Sequence, residues 1–540
     1  MTVIGMTSNE RGIPFGRASA VGRWSPLALF LVVQAVAWTG IPAMVFGAPQ
    51  SNTVELALWA RDWFIVNYKH PALPAWLLGF AYDLGGTHLW VSLLLAQLCI
   101  AAAYVFVFLL GSDLLGDGPA LLGALVLPAV SHFTVDGLRY NHNVVQLPLW
   151  IGFCFGLWRA SRSDRLPWWL FTAAMAALGF YAKFTMGLVV AFGALWIVLD
   201  AEARARLRGR TPCIALLVFV VLLIPIAVAL GATDFASLAW VSRESARRGI
   251  PGSHFLRDVG TTVLIMAAAL AAGLTVNRLP PRHLPEFQVA VDRRALSFLL
   301  LMGGGPMLAT LAMALVAPMR LEWAAPMYSM IGLLLVALLL RRRPRLARWA
   351  RAGLRHGVLA LAASLALLAG HAGAALEARA AGHARKSLWP AAEIAARFDR
   401  IWQAETGRPL RIVAGDSWTA GVVGLMSDGR PSLFTDLDAQ RSPAMTERRL
   451  EADGMLLVWT DGSSWRPDPA LAARFLHGRE AFAVGPQAAA VTVDYLLIAP
   501  GQWSDADWDR WVEDNGTAES VSRLSASDVK RLQRTGGRAQ

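Results

Sequence analysis

Four short polar clusters interrupt an otherwise apolar chain, and each carries side chains able to do chemistry. They are Asn52-Thr53-Val54-Glu55, Tyr68-Lys69-His70-Pro71, the run Asp136-Gly137-Leu138-Arg139-Tyr140-Asn141-His142-Asn143, and Tyr181-Ala182-Lys183. A carboxylate within reach of a hydroxyl can take its proton. Lysine, histidine and arginine can hold a phosphate and stabilise charge that develops on it. A basic group, a carboxylate and amides gathered at one place therefore suit a lipid phosphate and a hydroxyl acceptor. Each cluster also has a plainer reading. Glu55 is equally a solvated helix charge, and Lys69 and His70 can snorkel at an interface. Asn141 and Asn143 precede an apolar run, as helix caps do, and Lys183 fits a short exposed turn.

The elements that must position these groups are membrane spans. The 540 residues are 55% hydrophobic and 16% charged, well short of the charge of a soluble chain. A span needs about 20 apolar residues. Such runs lie near 25–46, 88–111, 118–132, 144–159, 167–182, 184–200, 212–231, 257–276, 295–317, 324–340 and 357–376. The first follows Arg11, Arg17 and Arg23 and is too long for the apolar part of a cleaved signal, so it reads as a signal anchor.

Alternate connections carry the arginines: Arg159, Arg162 and Arg165; then Arg204, Arg206, Arg208 and Arg210; then Arg278, Arg282, Arg293 and Arg294. The densest set is Arg341, Arg342, Arg343, Arg345, Arg348, Arg351 and Arg355. With about eleven spans these connections and the N-terminal tail share one side, which the positive-inside rule makes cytoplasmic. All four polar clusters then fall on the opposite face. The connection after the seventh span breaks the pattern, carrying Asp234, Trp240, Arg243, Glu244, Arg247 and Arg248. Arginines on that side point to an anionic ligand.

The expected architecture is mainly α: a 1–24 cytoplasmic tail, a 25–376 polytopic helix bundle with a first outer loop at 47–87, and a small α/β domain over 377–540 on the outer, periplasmic side. In the first loop, Trp59, Trp63 and Phe64 share a helical face with Leu56 and Ala60, as in an interfacial helix. In the last domain a helical run at 390–404 precedes strands at 410–414, 432–435, 455–460 and 491–498.

Several function classes drop out. The net charge of +12 sits in short loops rather than in a basic stripe interleaved with aromatics, so nucleic acid is not an expected partner. Cys99, Cys154 and Cys213 lie in apolar runs and read as buried small hydrophobes, and the last domain has no cysteine to staple it. No P-loop is present to drive transport with ATP.

The segment NTVELALWARDWFIVNYKHPALPAWLL resembles the first outer loop of the bacterial PMT_2/ArnT-like glycosyltransferases of GT-C fold. GLRYNHNVVQLPLW, GFYAKFTMGL, RLEWAAPMY with Trp323, and RIVAGDSWTAGVVGLMSDGRPSLF resemble later family segments in the same order. The resemblance implies transfer of one sugar from a polyprenyl-phosphate donor, on the periplasmic side of the inner membrane, to a lipid, glycan or protein acceptor. It implies a phosphate site at Lys69 and His70, with Lys183, Arg243 and Arg247 as further cations. Arg139, Asn141, Asn143 and Trp323 join them as substrate-binding candidates.

The sequence departs from the family pattern where catalysis is expected. Asn52 and Asn143 stand where the family usually keeps acids. An amide is no general base and a poorer ligand for a divalent ion than a carboxylate. Metal dependence is therefore in doubt, and the base falls to Glu55 first and Asp136 second. The competing readings are a lipid or glycan transporter, disfavoured because the charges collect at one face rather than mid-membrane, and a catalytically inactive glycan-assembly subunit.

Overall fold

The computed structural model describes residues 20–504, apart from 234, 277–290, 343–352, 384, 439–440, 443–444, 464–465, 468–472 and 485–489. Arg11, Arg17, Asp234, Arg278, Arg282, Arg343, Arg345, Arg348 and Arg351 lie outside the described residues, as do the side chains of Arg23 and Arg248.

Apolar residues on all sides of long helices make a bundle whose solvent is lipid. Seven helical stretches among the described residues are long and apolar enough to cross a membrane. They are α1 (Ala20–Val45), α4 (Leu89–Leu115), α10 (Arg210–Ala232), α12 (Gly252–Val276), α13 with α14 (Arg293–Leu299, Gly305–Val316), the stretch ending in α15 (Ile331–Arg342), and α16 (Gly353–Ala380). The other expected spans fall on α5 (Asp117–Leu125), α6 (His142–Ser161), α7 (Leu166–Ala182) and α8 (Met186–Leu199). The third expected span is not one helix. After α5 the chain continues as 3-10 turns at Leu127–Ala129, Ser131–Phe133 and Val135–Leu138. Such backbone is tolerated at membrane depth where protein buries it or it lines a cavity. Both conditions hold here: Gln34 Nε2 donates to Phe133 O at 3.2 Å, and Ser131 lines a cavity described below.

Two ends of the bundle differ. At one end the connections after α6 and α8 meet the start of α13, through α9 (Ala201–Arg206). Arg294 donates from Nε and Nη2 to the two oxygens of Asp200, at 2.9 Å each, and Arg206 pairs with Asp164 at 2.6 Å. At the other end lie α2 (Ser51–Trp59), α3 (Leu73–Gly85), α11 (Ala236–Arg248) and the C-terminal sheet.

The sheet has order β2-β1-β3-β5-β4. β1 (Ile412–Gly415) pairs in parallel with β2 (Ser432–Thr435) and β3 (Met455–Trp459), while β5 (Val491–Ile498) runs antiparallel to β3 and β4 (Leu476–Phe482). α17 (Ala391–Thr406) buries Ile394, Phe398 and Trp402 at four-residue spacing. α18 (Thr419–Met426) packs between the sheet and α2. Gly421 and Gly424 make that approach possible, since a Cβ on Gly421 would lie 2.7 Å from Val54 Cγ1. Arg61 ties the same junction, donating to Gly424 O at 3.0 Å and to Pro431 O.

Three expectations need correction. The first-loop helix stops at Trp59 instead of running through Phe64: Trp63 takes a left-handed φ of 48° and is 68% exposed. The cysteines are not all buried: Cys154 is, Cys99 is half-buried, and Cys213 is exposed on α10. β4 is a strand with no apolar run, an edge strand whose charges pair sideways, Arg479 with Asp494 and Glu480 with Arg397.

Candidate functional site

The site grows from a tight turn. Asn67 N–H donates to His70 O at 2.8 Å, and Val66 bridges Pro71, so Tyr68, Lys69 and His70 are presented together. α2 meets this turn with Glu55 and Trp59, about 100° around the helix from the Val54 and Leu58 face packed on α18. Lys69 Nζ lies 2.5 Å from Glu55 Oε1, and the Tyr68 hydroxyl donates to the same oxygen at 3.0 Å. Among the described residues no donor reaches Glu55 Oε2. The Lys69 ammonium also faces the rings of Trp59, Tyr68 and Trp240, 5.4–5.9 Å from their centroids.

The start of α6 supplies the second wall. Asn141 is the cap: its Oδ1 accepts from the N–H groups of Asn143 and Val144 at 2.9 and 3.2 Å. The plainer expectation for Asn141 therefore holds for that oxygen. His142 follows, its Nε2–H donating to Pro71 O at 3.2 Å and its ring 4.2 Å from that of His70. Asn143 does not cap. Its Oδ1 receives the ammonium of Lys183 at 2.5 Å, and Lys183 also faces Trp323 at 6.0 Å. Lys183 is buried, and among the described residues no carboxylate lies within ion-pair distance of it.

Beside this corner, reached through Asn143, lies a cavity of about 280 Å³. Asn52, Asn141, Asn143, Asp136 and Arg139 line it, together with His132, Asp258, Glu322 and Tyr328. The last of these come from a ten-residue 3-10 segment, Leu321–Met330, whose three-residue repeat stacks Glu322, Ala325 and Tyr328 on one face.

The structure thus brings Asn52, Glu55, Lys69, His70, Asn143, Lys183 and Trp323 to one corner, with Asp136, Arg139 and Asn141 on the cavity wall. Two expected cations are elsewhere. Arg243 is exposed with no ion pair among the described residues, and Arg247 is 67% exposed, 3.6 Å from Glu244. The contribution of α11 is instead Trp240, packed against His70 at 5.1 Å, while Glu244 anchors the helix to Arg320 at 2.6 Å. Asp258 and Glu322 were not singled out in sequence. Asp258 lies 75 residues beyond Lys183 with no local pattern to set it apart, whereas Glu322 sits inside the RLEWAAPMY segment, beside Trp323.

Electrostatics separates the two carboxylates proposed as base. Burial alone would raise the Asp136 carboxyl, but His132, Ser131 and Arg139 outweigh it and hold it well below the usual range. His132 Nδ1 sits 2.9 Å and Ser131 Oγ 2.7 Å from it. So strongly held a carboxylate is a weak base. His70 moves down from the usual histidine value because burial desolvates it and His142, Lys183 and Lys69 repel a proton. The corner is thus crowded with bases and short of anions.

The amide oxygen of Asn143 already holds an ammonium, and among the described residues no three His, Cys, Asp or Glu side chains are grouped to hold a metal.

Residues 69–228 match the family described as dolichyl-phosphate-mannose-protein mannosyltransferase, PMT_2. No curated protein matches by sequence. The crystal structure of ArnT from Cupriavidus metallidurans bound to undecaprenyl phosphate shares the fold, with TM-score 0.57 and 16% identity over 88% of this chain and 98% of that one. The apo form of the same ArnT gives 0.58 and 15% with the same coverage. The chain thus shares the GT-C fold of ArnT along most of its length, and residues 69–228 within it match the PMT_2 family model.

Proposed function

We propose that this protein is an integral-membrane glycosyltransferase that moves a single sugar from a polyprenyl-phosphate donor to a lipid, glycan or protein acceptor. The reaction takes place on the periplasmic face of the bacterial inner membrane, the side on which the arginine distribution puts the C-terminal domain. One observation carries the reading: Lys69, His70, His142 and Lys183 converge beside a polar cavity, and among the described residues Glu55 is the one carboxylate that pairs with any of them. Such a cluster calls for an anion, and the fold was solved in ArnT with undecaprenyl phosphate bound.

The leaving group is the prenyl phosphate, so charge develops on its oxygens as the sugar departs. Lys69 and Lys183 stabilise that charge, and His70 hydrogen-bonds the phosphate from its ring. Glu55 takes the proton of the attacking hydroxyl through its open Oε2 while Tyr68 and Lys69 fix its other oxygen. A direct displacement of this kind inverts the anomeric centre. Asn52 and Asn143 orient substrate groups in the cavity, and the prenyl chain lies along the bundle facing lipid.

The test uses membranes containing the full chain, supplied with the isotopically labelled polyprenyl-phosphate sugar fraction of the host. Glu55→Gln should lose at least about a hundredfold in transfer while still binding undecaprenyl phosphate. His70→Ala should weaken that binding. Full transfer by Glu55→Gln, with loss in Glu322→Gln or Asp258→Asn instead, would move the base to the cavity wall.

A further inference from the structure

The C-terminal domain sends one charged side chain to the corner where Glu55 sits. Beyond β2 the chain turns through Asp436 and Leu437, both left-handed with φ of 51° and 52°, a conformation that non-glycine residues adopt only when their surroundings hold them there. The surroundings do so. Asp436 N–H donates to Gly415 O at 2.8 Å, tying the turn to the end of β1, and Thr435 N–H donates to Ser442 Oγ at 3.0 Å, closing its base. Within the turn, Arg441 pairs with Asp436 at 2.5 Å and with Asp438 at 3.2 Å. Two carboxylates, Asp436 and Asp438, hold the guanidinium over the ring of Tyr68, 5.7 Å from its centroid. The Tyr68 hydroxyl is the one that donates to Glu55 Oε1.

We infer that Arg441 is a positioning residue for the glycosyl transfer: it holds the Tyr68 ring, and through the Tyr68 hydroxyl it fixes the carboxylate of Glu55. The inference rests on Glu55 acting as the base. It gives the C-terminal domain a part in the reaction beyond covering the bundle, because the charge that locks the carboxylate comes from a loop nearly four hundred residues downstream. A simple structural contact would stabilise the junction. This one has a direction, running from the Asp436–Asp438 clamp to Arg441, to the Tyr68 ring and so to Glu55.

The experiment measures transfer in membranes with the labelled polyprenyl-phosphate sugar fraction, beside thermal unfolding of the purified full-length protein. Arg441→Ala should lower kcat about tenfold at a KM for the donor changed by less than about twofold, the split expected when orientation is lost and binding is kept. Arg441→Lys keeps the charge over the ring and should recover most of that loss. Tyr68→Phe keeps the ring and removes the hydroxyl, so Arg441→Ala should cost little more in that background. Losses that multiply, a lysine variant no better than alanine, or an unchanged kcat would each overturn the inference. Loss of activity in proportion to a lowered unfolding temperature would reduce Arg441 to a structural contact and overturn it as well. Full transfer by Glu55→Gln removes the base assignment and the inference with it, whereas an inactive Glu55→Gln beside multiplying losses removes the inference alone.

Discussion

The two ends of the bundle both gather charge, and they treat it in opposite ways. At the end away from the sheet, each of three arginines meets carboxylate. Arg294 bonds Asp200 and Glu202 while its guanidinium lies between Trp158 and Trp196, and Arg159 and Arg206 pair with Asp113 and Asp164. At the sheet end, Lys183 has an amide and a ring but, among the described residues, no carboxylate within ion-pair distance, and His70 and His142 face one another. A fully paired cluster is structure, complete as it stands. A cluster in which Lys183 is left without an ion pair among the described residues, beside two neutral histidines, keeps capacity for an anion it does not contain, and that capacity, more than the number of charges, marks this end.

The sharpest way to break this comparison is to remove one cation from each end. Lys183→Met should lower transfer by at least about a hundredfold and leave thermal stability within about 1 kcal/mol, since no buried carboxylate is orphaned. Arg294→Met should do the reverse, costing about 3 kcal/mol by stranding Asp200 while the folded fraction keeps its kcat. If the Arg294 variant loses turnover without stability, the distinction fails. Next in size, Gly421→Val should push α2 away from α18 through the contact with Val54 and lower kcat about tenfold, because Glu55 rides on that helix. An unchanged kcat would mean that the junction yields without moving α2.

A smaller effect should appear with pH. His70 is held neutral in the free protein, and a bound phosphate supplies the negative charge that lets it take up a proton. Binding of undecaprenyl phosphate should therefore tighten about threefold as pH falls from about 8 to about 6, and His70→Ala should flatten the slope to that of the lipid's own titration. An identical slope in both proteins would remove His70 from the phosphate site. The smallest effect belongs to Asp136. Its carboxyl is depressed in the folded protein, so it contributes stability above the unfolded value of about 4, and loses it as pH falls from there toward the folded value. Asp136→Asn should cost about 1 kcal/mol at neutral pH, and the two proteins should converge on acidification; a constant gap would show that the charge is irrelevant.

Much of the bundle was legible because a lipid solvent demands long apolar runs, and few other patterns produce them. The four polar clusters were legible for the complementary reason, since each is costly unless used. What stayed hidden has identifiable causes. The third span breaks into 3-10 turns, and one of their carbonyls, Phe133 O, takes the distant Gln34 side chain as its partner, a contact that no local pattern reveals. β4 was missed because an edge strand needs no apolar face. Arg243 and Arg247 were expected at the site on charge alone. The helix that carries them turns Trp240 and Glu244 inward instead, and sequence periodicity does not say which face of a short surface helix is covered. Arg441 shows no local signal, since its meaning depends on a ring far away in the chain.

The ten-residue 3-10 segment along the cavity has a consequence of length. At about 2.0 Å per residue it is roughly 5 Å longer than the same residues in an α-helix. Pro326 disfavours the α form, in which its ring would clash with the Glu322 carbonyl one turn back. The cavity wall is therefore a stretched ruler, its graduations set by every third residue. Rewinding it would shorten the wall and fan Glu322, Ala325 and Tyr328 around the axis. The depth of the cavity is written in the pitch of this one segment as much as in the identity of the side chains it carries.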